Sequence, residues 1–473
     1  MQRICTAVLL ALVLASSMAP TGRAAQEQQS ESLTGLVGVV WGDSPDGSGT
    51  PPKVDLYDDT GKAHELKMQP DTLAAAGGLT TLNGARVNVR GSSEVSSLGA
   101  GGEAAFKVEG IEPTGEASAL DSVTGSKPWI ILMCKFAGNA SQPRGPSYFR
   151  DLFGRTYPGI NHFWERNSYG ALNLDGTTVY PSWVSMPQTR QYYLDLKAHG
   201  LDWLGALLYD CARAVNASIN FASYAGIGLM FNSEIDGAAW GGTKYFTLDG
   251  LAIIRVIWAP PWAYNNQHAL AHEVGHGLGL PHSSGSYNTA YDSPWDVMSG
   301  WPTCTPSHPR YGCLAVETIS HHRRIMGWVP TAKRYFASVG SDRQISLVRL
   351  GNPASPQGTY RMATIPIPGS STRFYTVEAR KPANDGITLN DYEEGLMAPG
   401  VIIHEVDTSR GDREAQVVDV PRNGTPRDNG SRFIVGETFA DNSAGIWVRV
   451  MRATATGYVV RIRNGLLAND SPS

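Results

Sequence analysis

A chain of 473 residues exceeds what one hydrophobic core ordinarily serves, and suggests about three domains at roughly 150 residues each. With 42% hydrophobic and 17% charged residues the composition is globular, which argues against a disordered chain. The formal net charge of −4, with no run of Lys or Arg, argues against nucleic acid or an anionic membrane as partner, and 52 glycines and 29 prolines favour short strands joined by turns.

In chain order, Arg3 precedes the apolar run "ICTAVLLALVLA" and then the small residues "SSMAPTGRAA". That is the build of a secretory signal peptide over residues 1–25, with cleavage between about Ser17 and Ala25, so a secreted product is expected. No later stretch is long and apolar enough to span a bilayer. Residues 33–114 alternate short strand-like runs ("LTGLVGVVW", "KVDLYDD", "HELKM", "ARVNVRG", "AAFKVEGIE") with breaks rich in Gly, Pro and Asn. Five strands in that span predict a small all-β, OB-like domain, either a prodomain or a binding module. The polar linker "PTGEASALDSVTGSK" follows it.

Residues 128–330 read as mixed α/β. "WIILMCKF" is a buried strand, "SYFRDLFG" and "NHFWERNSYG" are short helices, and "LDWLGALLYDCARAVNA" is a long amphipathic helix. The strand "AGIGLMFN" leads into glycine-rich "SEIDGAAWGG", then the strand "LAIIRVIW", and a helix is expected around "LAVETISHHRRIMGW". Beyond Val329 the helical signal disappears. "QISLVRL", "RMATIPIP", "RFYTVEAR", "GVIIHEVD", "SRFIVG", "GIWVRVMRAT" and "GYVVRIRN" predict a C-terminal β-sandwich over 331–465.

Cys5 falls in the expected leader, which leaves Cys134, Cys211, Cys304 and Cys313. An even count in an exported protein suggests two disulfides from three possible pairings. Local closure favours Cys304–Cys313, leaving Cys134 with Cys211; four free buried thiols are the alternative.

The chemistry concentrates in "HEVGHGLGLPH", residues 272–282. On a helix, His272 and His276 leave one face about 6 Å apart along the axis, which suits two ligands of one tetrahedral zinc. Glu273 lies about 100° round the helix, placed to take a proton from a metal-bound water. Gly279 permits the positive φ that stops the helix and lets the chain bring His282 back as third ligand. Three neutral imidazoles leave a fourth position open for water, whose pKa zinc lowers to about 7. A hydrolytic zinc site is therefore expected. A structural zinc is the rival, though such sites are usually closed by four ligands and lean on cysteine. Asp292 or Asp296 is an alternative third ligand, with poorer spacing than His282.

HExxHxxGxxH followed by a Met-turn resembles the signature of the metzincin clan of zinc metalloendopeptidases. Met298 in "SPWDVMSG" fits that turn, and the resemblance implies that it lies as an apolar floor beneath the ligands without binding zinc. Gly300 departs from the Met-x-Tyr of clan members that add a tyrosine ligand, so no fifth protein ligand is expected. The motif helix looks like a matrixin's, but no cysteine-switch propeptide is present. The wider chain, about residues 128–410, is more similar to secreted gametolysin-like and immune-inhibitor-A-like peptidases. "WIILMCKF", "FWERNSYGALNLDG", "WDVMSG", the helix ending "HHRRIMGW" and "FYTVEAR…PGVIIHEVD" carry that likeness. It implies an α/β metzincin-like catalytic domain, with "GIGLMFNS" or "AIIRVIW" as the strand to which an extended substrate adds.

Other histidines read as bystanders. His268 is expected as a cap or supporting group, His321 and His322 on a solvated face, and His404 on a strand without a partner at i+4. A monomer acting on protein or glycoprotein is expected, and calcium is possible without a motif to indicate it. Asn139, Asn216, Asn423 and Asn429 begin N-x-[ST] sequons. The competing function is a catalytically inactive adhesin or glycan-binding protein that works through its β-domains.

Overall fold

The computed structural model describes residues 30–45, 47, 50–94, 105–116, 123–287, 289–300, 304, 306–383 and 392–465. The expected leader and the middle of the polar linker lie outside the described residues.

Five strands open the described chain: β1 (Glu31–Asp43), β2 (Thr50–Asp58), β3 (Ala63–Lys67), β4 (Arg86–Glu94) and β5 (Ala105–Pro113). They pair in the order β1-β2-β3-β5-β4 and close back on β1, with β3 and β5 parallel and the other pairs antiparallel. The closed barrel has its own core of Val37, Val39, Leu56, Val87, Val89 and Phe106. The "AAGGLTTLNG" stretch, expected as a break, instead carries the short helix Leu79–Leu82, directly after another at Pro70–Ala75. Their Leu73, Leu79 and Leu82 join that core, so apolar burial overrides the glycines.

The middle sheet consists of β6 (Trp129–Lys135), β7 (Thr178–Ser185), β8 (Gly226–Phe231), β9 (Ala239–Tyr245) and β10 (Ile253–Ala259). Its order is β9-β10-β8-β6-β7, with β9 antiparallel to β10 and the remaining pairs parallel. Alternation along β6 sends Ile130, Leu132 and Cys134 to one face and Trp129, Ile131 and Met133 to the other. On the first face lies helix α2 (Trp203–Arg213), presenting Leu204, Leu207, Leu208 and Cys211 at helical spacing. The other face receives α1 (Ile160–Asn167) and α3 (Gln267–Gly277). Both expected disulfides form, Cys134–Cys211 tying β6 to α2 and Cys304–Cys313 closing a local loop.

Barrel and middle sheet are continuous. The last four residues of β1 pair antiparallel with β9, from Val40 opposite Gly242 to Asp43 opposite Ala239, giving one ten-stranded sheet.

The C-terminal part stacks two sheets. Six strands run in the order Ser283–Gly285, Ala415–Val417, Gly400–Asp407, Arg373–Arg380, Met362–Pro366, Arg334–Phe336. Five more run Thr359–Tyr360, Ser341–Val348, Gly457–Asn464, Ile446–Thr454, Thr438–Asp441. Ile365, Val377 and Ile403 meet Leu347, Val448 and Val460 between them. The six-stranded sheet starts with Ser283–Gly285, directly after His282, so this part is joined to the motif turn by backbone pairing. "SRFIVG" is not a strand: Asp428 accepts from Gly430 N at 2.7 Å and holds a tight turn at Asn429–Ser431, and Phe433 makes a single bridge to Val401. No helix among the described residues is long and apolar enough to cross a membrane.

Candidate metal centre

Every residue of α3 is buried, so this helix is held by packing and not by an amphipathic face. Asn266 starts it, its side chain accepting from Ala269 N at 3.3 Å. Close packing explains its glycines. A Cβ on Gly275 would stand 2.4 Å from Met298 Sδ, and one on Gly277 2.7 Å from the Trp129 ring. Met298 thus lies directly against the motif helix.

The helix ends at a left-handed glycine, Gly279, with φ near +100°. Gly279 N donates to His276 O and Leu280 N to Gly275 O, both at 2.9 Å. This reversal carries His282 back to the helix face that holds His272 and His276. The Nε2 atom of His276 lies 3.0 Å from that of His272 and 3.1 Å from that of His282.

Each Nδ1 faces an acceptor: Val297 O at 2.7 Å for His272, Leu280 O at 2.8 Å for His276, and the Asp412 carboxylate at 3.0 and 3.1 Å for His282. These partners assign the proton of neutral His272 and His276 to Nδ1, so their bare Nε2 lone pairs converge. Acceptors this close repel unless a positive species lies between them. Tetrahedral ligands about 2.05 Å from an ion stand about 3.3 Å apart, near the spacing observed.

A fourth group joins them. Asp43, at the end of β1, places Oδ1 2.8 Å from His282 Nε2, and Oδ2 3.3 and 3.4 Å from Nε2 of His276 and His272. The hydroxyl of Tyr291 donates to Asp43 Oδ1. Asp43 Oδ2 and Glu273 Oε2 are buried without a hydrogen-bond partner among the described residues. An orphaned carboxylate oxygen facing imidazole acceptors is the pattern that a bound cation resolves. Ligand atoms of Asp43, His272, His276 and His282 all lie within 4.8 Å of one another, and this buried N/O set fits zinc.

Burial, then the charge of Asp43, holds the Glu273 carboxyl well above its usual range. For His282, burial opposes protonation but Asp412 and Asp43 outweigh it and raise the pKa to about 10. Burial and then the neighbouring His282 push His276 down to about 4. Metal binding at this cluster requires all three Nε2 atoms to be free of protons.

Of the residues singled out in the sequence, His272, His276 and His282 are brought together with Glu273 beside them. The fourth direction, expected open, holds Asp43, because β1 runs out of the barrel into the site. Asp292 and Asp296 stay out of the cluster: Asp292 accepts from Gly285 N, and Asp296 from Ser283 Oγ at 2.6 Å and Thr318 Oγ1 at 2.8 Å. His268 and His404 are buried and outside it. His321 and His322 are fully buried rather than solvated. His322 Nδ1 lies 2.9 Å from Asp296 Oδ2 and His321 Nε2 3.2 Å from Glu414 Oε2, since the short helix Ser320–Ile325 packs beneath the C-terminal sheet. Nor do β8 and β10 offer an edge to substrate, because each is paired on both sides. Sequence reasoning missed Asp43, Tyr291 and Asp412. All three depend on long-range placement, and none carries a motif.

No family model and no curated protein matches the chain. Solved structures of OgpA from Akkermansia muciniphila are similar to it at a low level. Wild-type OgpA in one crystal form gives a TM-score of 0.25 at 11% identity, covering 63% of this chain and 94% of that one. A second crystal form gives 0.23 at 11%, covering 63% and 92%. Catalytic inactive OgpA in complex with an O-glycopeptide substrate gives 0.22 at 10%, covering 63% and 93%.

Proposed function

We propose that the chain is a secreted, zinc-dependent metalloendopeptidase of metzincin type that hydrolyses peptide bonds of extracellular proteins or glycoproteins. In this reading an OB-like barrel, an α/β catalytic part and a C-terminal β-sandwich make up the chain. One observation carries it: the Nε2 atoms of His272, His276 and His282 converge beside a buried Glu273 carboxylate whose Oε2 has no partner among the described residues. A structural ion has no use for that carboxylate; a hydrolase needs a base there.

Zinc bound by the three imidazoles would supply Lewis-acid polarisation and a water acidic enough to ionise near neutrality. The chain's own residues do the rest. Val297 O, Leu280 O and Asp412 hold the rings by their Nδ1 protons. Glu273 accepts the proton of the attacking water and returns it to the leaving amine, and burial suits it to holding a proton between those steps.

A second reading is favoured by one observation. Asp43 fills the fourth direction, as in a closed structural site of an inactive binding protein.

The secreted protein, in its naturally processed form, separates the two when tested on a denatured protein substrate. Hydrolysis is expected to stop with a zinc chelator and return with zinc. Glu273→Ala is expected to retain one zinc per chain while losing about 10²- to 10⁴-fold in rate. Full activity in that variant, or none in the zinc-loaded wild type, overturns the peptidase assignment.

A further inference from the structure

We propose that the cavity between the barrel and the C-terminal sheets binds a long-chain carboxylate, with its acyl chain against the barrel and its head group on Arg413. The cavity is separate from the metal centre, and its ligand does not depend on the peptidase reading above.

This cavity holds about 710 Å³, a size that suits a small-molecule ligand. Its walls differ in chemistry. The barrel contributes Val54, Leu66, Met68, Leu73 and Leu79, an apolar surface with one flexible thioether. Pro51 and Pro52 extend that surface and bring no N–H. A peptide laid across the two prolines finds no donor there for its carbonyls, whereas an acyl chain needs none. The facing wall is the loop after Gly400–Asp407, with Arg410, Gly411, Asp412 and Arg413. The two walls meet at Gly411, where a Cβ would stand 2.4 Å from Leu73 Cδ2.

One charge in this lining is left for a ligand. Lys67 pairs with Glu65. Arg410 pairs with Glu405 Oε1 at 3.0 Å and donates to Glu414 O at 3.0 Å. Asp412 holds His282. The guanidinium of Arg413 makes no hydrogen bond among the described residues, and its one ion pair is Nε to Asp412 Oδ2 at 4.0 Å. Its backbone is in the left-handed region, φ near +56°, which is uncommon for a residue with a Cβ. An unoccupied guanidinium fork beside an apolar wall matches a carboxylate on a hydrocarbon chain.

Occupancy reaches the metal centre through a single atom. The Asp412 Oδ2 that faces Arg413 also lies 3.0 Å from His282 Nδ1. A carboxylate that neutralises Arg413 leaves this oxygen to His282 and adds negative charge near the cluster. Both effects favour a cation on the Nε2 atoms, and by linkage the cation favours the carboxylate by the same factor.

The test titrates the intact chain, barrel included, with dodecanoate below its micellar concentration, by calorimetry. Dodecanol and dodecyltrimethylammonium share the chain and lack the anion; acetyl-Leu-Leu-Leu with a free C-terminus shares the anion. Dodecanoate is expected to bind at one site per chain, at least about 10-fold more tightly than any of the three. Arg413→Met should remove the preference over dodecanol, and Met68→Glu should weaken both. A diazirine-bearing dodecanoate on the wild type should crosslink within residues 51–79 or 410–416, a readout that needs no variant to fold. Zinc loading should tighten dodecanoate about 5-fold, and dodecanoate should tighten zinc equally against a chromophoric chelator. Tighter binding of the peptide would replace the acyl ligand with a peptide one. Absence of saturable binding, crosslinks elsewhere, or a preference that survives Arg413→Met overturns the site. Equal dodecanoate affinity with and without zinc overturns the link to the metal centre.

Discussion

Asp412 reaches His282 from the loop after the strand Gly400–Asp407, 130 residues further along the chain. Its carboxylate accepts from both the backbone N–H of His282 at 3.2 Å and the ring Nδ1 at 3.0 to 3.1 Å. A carboxylate in that position fixes the ring's orientation and makes Nε2 a better donor to the metal. Asp412→Ala is expected to lower zinc affinity about 10- to 100-fold, read by competition with a chromophoric chelator. Asp412→Asn, which keeps an acceptor oxygen for Nδ1, should recover most of it. Unchanged affinity in the alanine variant would show that something other than Asp412 holds the ring. The contrast between His282 and its two carboxylate partners shows what a sequence can disclose at this scale. His272, Glu273, His276, Gly279 and His282 were legible because one helix and one turn place them relative to each other. Asp43, 239 residues before His282, and Asp412 were not. Their positions depend on how distant strands pair, and an aspartate before "SPDGSG" reads locally as a turn residue.

At the scale of elements, β9 was hidden by its own composition. Glycine weakens strands, so glycine-rich "SEIDGAAWGG" carries no strand signal of its own. Here glycine is what lets the strand approach the motif helix: a Cβ on Gly241 would stand 2.5 Å from Glu273 O, a backbone atom that cannot swing aside, and 2.9 Å from His276 Cβ. Gly241→Ala is therefore expected to force α3 away from the sheet, at a cost of about 1–3 kcal/mol. A lowered unfolding midpoint together with weaker zinc retention would register that shift; wild-type values for both would mean the helix and strand tolerate the added methyl. Elements with clear periodicity fared better. The disulfide-tied helix α2 falls within the stretch expected for it, and Arg373–Arg380 and Gly400–Asp407 coincide with "RFYTVEAR" and "GVIIHEVD". The helix Ser320–Ile325 went wrong for the reverse reason to β9: its charged residues suggested solvent, yet Asp296 and Glu414 supply buried partners.

Across the whole molecule, the C-terminal sheets are bound to the middle part by charge buried as deeply as any apolar residue. Arg380, fully buried on the six-stranded sheet, pairs with Glu393 through Nε at 2.9 Å and with Glu378 at 3.1 Å. It also donates to the backbone oxygens of Trp295 and Glu317 in the middle part. Trp295 stands two residues before Val297, whose carbonyl holds His272, so the network reaches the metal centre through the Met298 turn. Removing one member of such a network leaves the rest as uncompensated buried charge, which ordinarily costs about 3–5 kcal/mol. Arg380→Met, of similar length and apolar, strands Glu378 and Glu393. The expected result is a lower denaturant midpoint for the middle and C-terminal parts in a single transition, and faster loss of zinc under a chelator. The barrel provides the contrast, because its own core predicts a separate transition that Arg380→Met leaves unmoved. If the C-terminal part alone were destabilised and zinc retention stayed at the wild-type level, the two parts would be energetically independent, and the β-sandwich would be an appendage rather than a support of the site.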